Sequence, residues 1–274
     1  MASSEQKKPG HDMFSMQGKT TVVTGGARGI GFALAQTVAE FGSDVALLDI
    51  SEKPSADLAQ MEKDTGVKWR YYRADVTNQE SLKEAFDKVV KDFGHIDTCI
   101  TAAGIALDKP FLEQTWDEVQ RILNINVMGT FFTAQLAAHH MRSNSNSSGG
   151  SILLISSQTA HTTTPAEHTS SYGMSKGAVK TLALHLGVEL APYKIRVNSI
   201  SPGFIETEMG RAAAEANPQM KEVFEKAPPL GRRGQVGDLK GVAVWLLSGA
   251  GAWTTATDVL ITGGLHGGGM HLRV

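Results

Sequence analysis

The run Thr24-Gly-Gly-Ala-Arg-Gly-Ile-Gly31, with its flanks, restricts the fold more than any other feature. Before it stands a short β-branched segment, residues 20–24, which reads as a strand. After it, residues 32–41 carry apolar side chains at helical spacing. A strand, a glycine turn and a helix aim backbone N–H groups and the positive end of a helix dipole at one spot, which suits a pyrophosphate. The glycines fall at Gly25, Gly29 and Gly31, spaced G-x-x-x-G-x-G rather than G-x-G-x-x-G. Glycines alone would mark only a tight turn; the strand and helix around them favour the anion site.

A second apolar strand, 44–49, ends in Asp49, 18 residues past Gly31. A carboxylate about 20 residues beyond such a turn can hold adenosine ribose hydroxyls. A solvated strand-end aspartate is the plainer alternative. The alternation then repeats, with strands read at 67–73, 97–102, 151–155, 195–200 and 258–262. Helices are read at 78–93, 116–141, 172–191 and 236–248, with Asn78 as an N-cap. No repeat or composition break interrupts the series, so a single α/β domain is expected, a parallel sheet with helices on both faces. Ligands of such sheets bind at the carboxyl ends of the strands. Gly25, Asp49, Asp75, Gly104, Ser157 and Pro202 all follow strands and are expected along that one edge. Residues 1–18 read as a polar arm, 19–264 as the domain, 204–230 within it as a lid, and 265–274 as a glycine-rich tail. Residues 143–150 form a low-complexity polar loop.

Tyr172 and Lys176 stand four apart on the 172–191 helix and therefore on one face. A phenol titrates near ~10, and an ammonium within about 4–6 Å lowers that value. Such a pair can pass a proton near neutral pH. An ordinary helix surface pair has the same spacing. Ser157, 15 residues earlier, ends the apolar run 152–155 and can hold a substrate oxygen near the phenol.

Composition narrows the function classes. The 274 residues are 41% hydrophobic, enough for a sizeable core, and the net charge of −2 gives no nucleic-acid or polybasic membrane footprint. The lone cysteine, Cys99, excludes a disulfide framework and reads as a small core residue in a reducing, cytoplasmic setting. No apolar run reaches the ~18 residues that span a bilayer. Met1 to Lys8 is polar and has no signal-peptide core. His139 and His140 suit a helix C-terminus, and no His/Cys spacing matches a zinc site, so no metal is expected. His161, Glu167 and His168 lie between Ser157 and Tyr172, where they either line a pocket or sit in a solvated loop.

From about Gly18 to Gly264 the chain resembles the short-chain dehydrogenase/reductase family. The resemblance rests on Thr24-Gly-x-x-x-Gly-x-Gly31, Asp75, Ala103-Gly104, Asn126, Ser157, Tyr172-x-x-x-Lys176 and Pro202-Gly203. It implies a Rossmann-type doubly wound sheet in three αβα layers. It implies Tyr172 as general acid/base, Lys176 tuning it and holding the nicotinamide ribose, Ser157 positioning the substrate, and Asn126 supporting a water relay. Arg28, Ile30, Val76, Ile205 and Thr207 would join Gly25, Gly29, Gly31, Asp49, Asp75, Ala103, Gly104, Pro202 and Gly203 around the cofactor. That cofactor is expected to be NAD rather than NADP, because Asp49 would face a 2′-phosphate; Arg28 leaves NADP open. The segment Ser157-x-x-x-His161, Pro165-x-Glu167-x-Thr169 further resembles fungal polyol dehydrogenases and ketose reductases. It implies reversible hydride transfer on a polyol/ketose pair, with Thr159, His161 and Glu167 beside the substrate, in a homo-oligomer, a tetramer or else a dimer. Two other readings stay open: a reductase of aromatic or cyclic ketones, and a non-catalytic dinucleotide-binding protein. The chain departs from the family at Thr101-Ala-Ala-Gly104, at Ile261-Thr-Gly-Gly264 and in its tail.

Overall fold

The β-branched and aliphatic runs become strands covered on both faces. They are β1 (Thr20–Thr24), β2 (Asp44–Asp49), β3 (Trp69–Arg73), β4 (Thr98–Thr101), β5 (Gly150–Ile155), β6 (Ile195–Pro202) and β7 (Asp258–Ile261). Every pairing is parallel, in the order β3-β2-β1-β4-β5-β6-β7. The helices are α1 (Gly29–Glu40), α2 (Leu58–Thr65), α3 (Gln79–Phe93), α4 (Trp116–Leu123), α5 (Gly129–Ser143), α6 (Ser170–Glu189), α7 (Pro218–Lys226) and α8 (Lys240–Leu247). The computed structural model describes residues 10–144, 149–164, 167–207 and 218–268. Much of the expected arm, lid and tail, and the position Pro165, lie outside the described residues.

Side chains alternate across the sheet and make two cores. Val22, Leu48, Cys99, Ile152 and Val197 pack on Phe86, Ala137 and Val179 of α3, α5 and α6. Their neighbours Val23, Leu47, Ile100, Leu153 and Ile200 pack on Leu34, Val38 and Leu246 of α1 and α8. The result is the expected single-domain, three-layer, doubly wound sheet. The strands run outward from β1 and β4 in opposite directions, so a crevice opens at the strand ends there.

The element boundaries differ from the sequence reading where side chains intervene. Asp44 takes the Lys68 amide at 2.8 Å, so β3 enters the sheet only at Trp69. Asn78 caps α3, accepting from Ser81 N at 2.9 Å, and Gly94 ends it in the left-handed region. The expected helix 116–141 is two helices joined by a wide π-helical turn at Asn124–Met128, and it runs on to Ser143. The helix expected from 172 starts at Ser170, and that expected from 236 opens as a 3₁₀ turn, Val236–Leu239. Helix α2, capped by Asp57, has no counterpart in the sequence reading. Its buried face is empty of core residues, which leaves little apolar periodicity to read.

Candidate active site

A cleft of about 690 Å³ runs across the strand ends from Asp49 at the end of β2 to Pro202 on β6. These ends, with those of β1, β4 and β5 between them, span about 19 Å at the usual ~4.8 Å strand spacing. At one end lies the glycine turn. The Arg28 N-cap of α1 makes no side-chain capping bond, so the first N–H groups of that 12-residue helix meet the cleft without a side-chain cap. Gly25 adopts φ +67°, and a Cβ there would come 2.6 Å from Ala103 N; one on Gly31 would strike the Gly25 carbonyl. These glycines hold the turn flat against the β4 end. Asp49 Oδ2 accepts from Ala27 N at 3.0 Å and Oδ1 from Ser51 N at 3.1 Å, so the carboxylate also fastens the turn. A long groove, bare glycine backbone and a helix start of this kind fit a dinucleotide.

At the other end stand Ser157, Tyr172 and Lys176, all on the cleft wall. Ser157 follows β5 in an extended conformation and caps the 3₁₀ turn Gln158–Ala160, accepting from Thr159 N at 3.2 Å. Its hydroxyl lies near enough to the Tyr172 phenol to favour the phenolate. Tyr172 lies in the first turn of α6 and Lys176 one turn on, its ammonium 5.7 Å from the phenol ring centre. That ammonium donates to Ile155 O at 2.8 Å. Burial draws the Lys176 ammonium down to about 8. The expected lowering of the Tyr172 phenol is not what the protein alone displays. Burial pushes the phenol up, the Ser157 hydroxyl opposes this, and the Glu167 charge adds to the rise. Loss of water around a phenolate outweighs that one hydroxyl.

Asn126 sits in the wide turn, fully buried. Its Oδ1 accepts from Ile105 N at 2.9 Å, and its Nδ2 donates to Ile105 O at 3.0 Å and Ser175 Oγ at 2.9 Å. The side chain thus clamps the loop after β4 to α6. Both amide hydrogens of Asn126 are thereby engaged.

The structure gathers Gly25, Arg28, Gly29, Ile30, Gly31, Asp49, Asp75, Val76, Ala103, Gly104, Pro202, Gly203 and Thr207 around this one cleft. Five expected residues are not on its wall, Asn126 of the wide turn among them. Ile205 is buried in a neighbouring hollow with Phe204, Leu230 and Ile261, where it bridges Gly234. Thr159 is absent from the cleft wall, and its hydroxyl is buried without a partner. Glu167 accepts from Thr164 Oγ1 at 2.9 Å, and burial raises its carboxyl. His161 lies 2.7 Å from Asp258 Oδ2 instead of lining the cleft. The cleft also holds Ile105, Arg121 and Ile125, which the sequence reading missed. Arg121 and Ile125 share a helix face, but only the wide turn aims that face at the strand ends.

A groove long enough for a dinucleotide, with one proton-handling phenol at its far end, places the chain among nicotinamide-dinucleotide-dependent oxidoreductases. A family model described as Enoyl-(Acyl carrier protein) reductase matches residues 25–266. The chain belongs to the short-chain dehydrogenase/reductase family. It is 34% identical over 255 residues to sorbose reductase sou1 of Schizosaccharomyces pombe, covering 92% of this chain and 97% of that one. An NADP-dependent mannitol dehydrogenase of Hypocrea jecorina is 32% identical, over 92% and 94% of the two chains. Among solved structures, an NADPH-dependent 3-quinuclidinone reductase of Rhodotorula rubra superposes with a TM-score of 0.86 at 34% identity, over 97% of each chain.

Proposed function

We propose that the protein interconverts a polyol and its ketose, with Tyr172 as the acid/base. The observation that carries this reading is the Ser157–Tyr172–Lys176 group on the wall of a dinucleotide-length cleft. When bound, the nicotinamide supplies or accepts the hydride. In the reducing direction Ser157 holds the carbonyl oxygen and Tyr172 gives it a proton. Lys176, cationic below about pH 8, makes the phenolate left behind less costly. In the oxidising direction the same phenol takes the proton. Gly29, Ile30 and Gly31 at the start of α1 would receive the pyrophosphate, and Asp75 and Val76 would flank the adenine.

The substrate class is supported by the sorbose reductase and mannitol dehydrogenase relatives. A site that bonds hydroxyls rejects analogues lacking them by ~10⁴-fold or more. The quinuclidinone reductase favours a second reading, reduction of a cyclic ketone. A turnover screen separates the two. L-Sorbose, D-fructose, mannitol and arabinitol are expected to react; silence from all of them beside reduction of a cyclic ketone would reverse the assignment.

For the cofactor, the Asp49 carboxylate supports NAD. At about 4 Å and an effective dielectric near 20, its repulsion of a 2′-phosphate is of order ~4 kcal/mol before counter-ions reduce it. The NADP-dependent mannitol dehydrogenase favours NADP, and Arg28 stands in the same cleft. Titration with NADH and NADPH, read by nicotinamide fluorescence, decides between them. We place the enzyme in the cytoplasm as a homo-oligomer, a tetramer or a dimer. The exposed apolar side chains Met128, Phe131, Phe132, Leu184 and Val188 on and beside α5 and α6 support a subunit contact there. Among the described residues no helix is long and apolar enough to cross a membrane.

A further inference from the structure

His161 does not meet the cleft, yet it ends the turn on which Ser157 stands. That turn is short and stiff. Ser157 Oγ accepts from Thr159 N at 3.2 Å, Ser157 O from Ala160 N at 3.0 Å, and Gln158 O from His161 N at 2.8 Å. Ser157 and His161 are therefore its two ends. Across from it, Asp258 begins β7 at the edge of the sheet. Its carboxylate lies 2.7 Å from His161 Nε2. It also accepts from Ser199 Oγ at 2.5 Å and from Ser201 Oγ at 2.9 and 2.8 Å. Ser199 and Ser201 are fully buried on β6, and Ser201 immediately precedes the cleft residues Pro202 and Gly203.

Burying a carboxylate costs free energy unless donors meet it. The Asp258 side chain is only 12% exposed and the His161 side chain 22%, and three side chains converge on this one carboxylate. The serine, histidine and aspartate do not form a nucleophilic relay. Ser201 Oγ, at 3.4 Å, and Asp258 meet the same imidazole nitrogen. A relay needs them on opposite nitrogens. What remains is mechanical: the imidazole ties the turn after β5 to β6 and β7.

We propose that the His161–Asp258 pair is a positioning device that sets the Ser157 hydroxyl against Tyr172. It acts through the turn and touches neither substrate nor cofactor. The proposal rests on the reading of Ser157 as a group that holds the substrate oxygen.

Two measurements test it on the full chain. The first is hydrogen exchange at the amides of Ala160 and His161 in the wild type and His161→Ala. Exchange is expected to quicken at least tenfold in the variant, and unchanged exchange overturns the clamp whatever the substrate proves to be. The second is a double-mutant cycle on kcat, using the most active compound of the screen above, with melting temperature and NADH binding recorded in parallel. His161→Ala is expected to lower kcat by about 10- to 10²-fold, the order that a misplaced group costs. His161→Gln, which keeps an N–H donor, is expected to restore most of it. In Ser157→Ala the same His161 substitution is expected to cost no further kcat, although the melting temperature falls as it does in the wild type. An equal loss of kcat with and without Ser157 would show a merely structural role and overturn the proposal. If Ser157→Ala alone leaves kcat intact, the reading of Ser157 fails, while hydrogen exchange still judges the clamp.

Discussion

At Lys176 the cost of burying an ammonium is visible in a single number, about 8. Two consequences follow for pH. The folded value lies below the unfolded one, so the unfolded chain holds more protons between about pH 8 and 10.5, and Lys176 burial becomes less destabilising as pH rises through that window. Activity moves the other way, because the neutral amine no longer favours the phenolate. The reduction kcat/KM is expected to fall above about pH 8 with a limb that Lys176→Arg, whose charge persists, removes; a limb that survives in Lys176→Arg would assign it to another group. Asp49 offers a second prediction at this scale. Asp49→Ser is expected to shift preference toward NADPH by at least tenfold in Kd, measured by fluorescence titration. It is also expected to lower the melting temperature, since the carboxylate accepts the Ala27 and Ser51 amides. The sequence displays Asp49 as a strand-end acid, but these backbone bonds depend on how the glycine turn folds back over β2.

Among the elements, the strands and the glycine turn are the most legible. Their apolar runs are buried on both faces, and period and burial then agree. The wide turn at Asn124–Met128 is not legible, because one extra residue in a helix leaves its composition unchanged. Such turns gather at functional sites, and here one carries Asn126 between Ile105 and Ser175. Asn126→Ala leaves the Ile105 peptide and the Ser175 hydroxyl short of partners. A loss of about 1–3 kcal/mol is expected in urea unfolding. The Tyr172–Lys176 pair needs only helical spacing, which the sequence supplies; the partners of His161 depend on long-range packing, which it does not. The glycine turn has no room for a side chain at Gly25 or Gly31. In Gly31→Ala the added methyl meets the Gly25 carbonyl, so dinucleotide binding is expected to fall by more than tenfold by calorimetry while the far-UV spectrum is kept.

For the whole molecule, the doubly wound topology brings residues as distant in sequence as Gly25 and Thr207 to one cleft. From the switch point between β1 and β4 the strands follow in chain order outward on each side, β1 to β3 one way and β4 to β7 the other. The outer faces of α5 and α6 keep Phe131, Phe132, Leu184 and Val188 at 39%, 40%, 53% and 68% exposure, unusual for a solvated surface. Leu184→Arg with Val188→Glu is expected to halve the mass found by light scattering; an unchanged mass would place the subunit contact elsewhere. The proposed reaction turns on Tyr172 passing a proton to a substrate oxygen that Ser157 holds. The most direct test is the steady-state rate of L-sorbose or D-fructose reduction by the wild type and by Tyr172→Phe at matched melting temperature. Turnover is expected in the wild type, with a loss of at least ~10²–10⁴-fold without the phenol. Near-equal rates in the two proteins would contradict the proposed reaction.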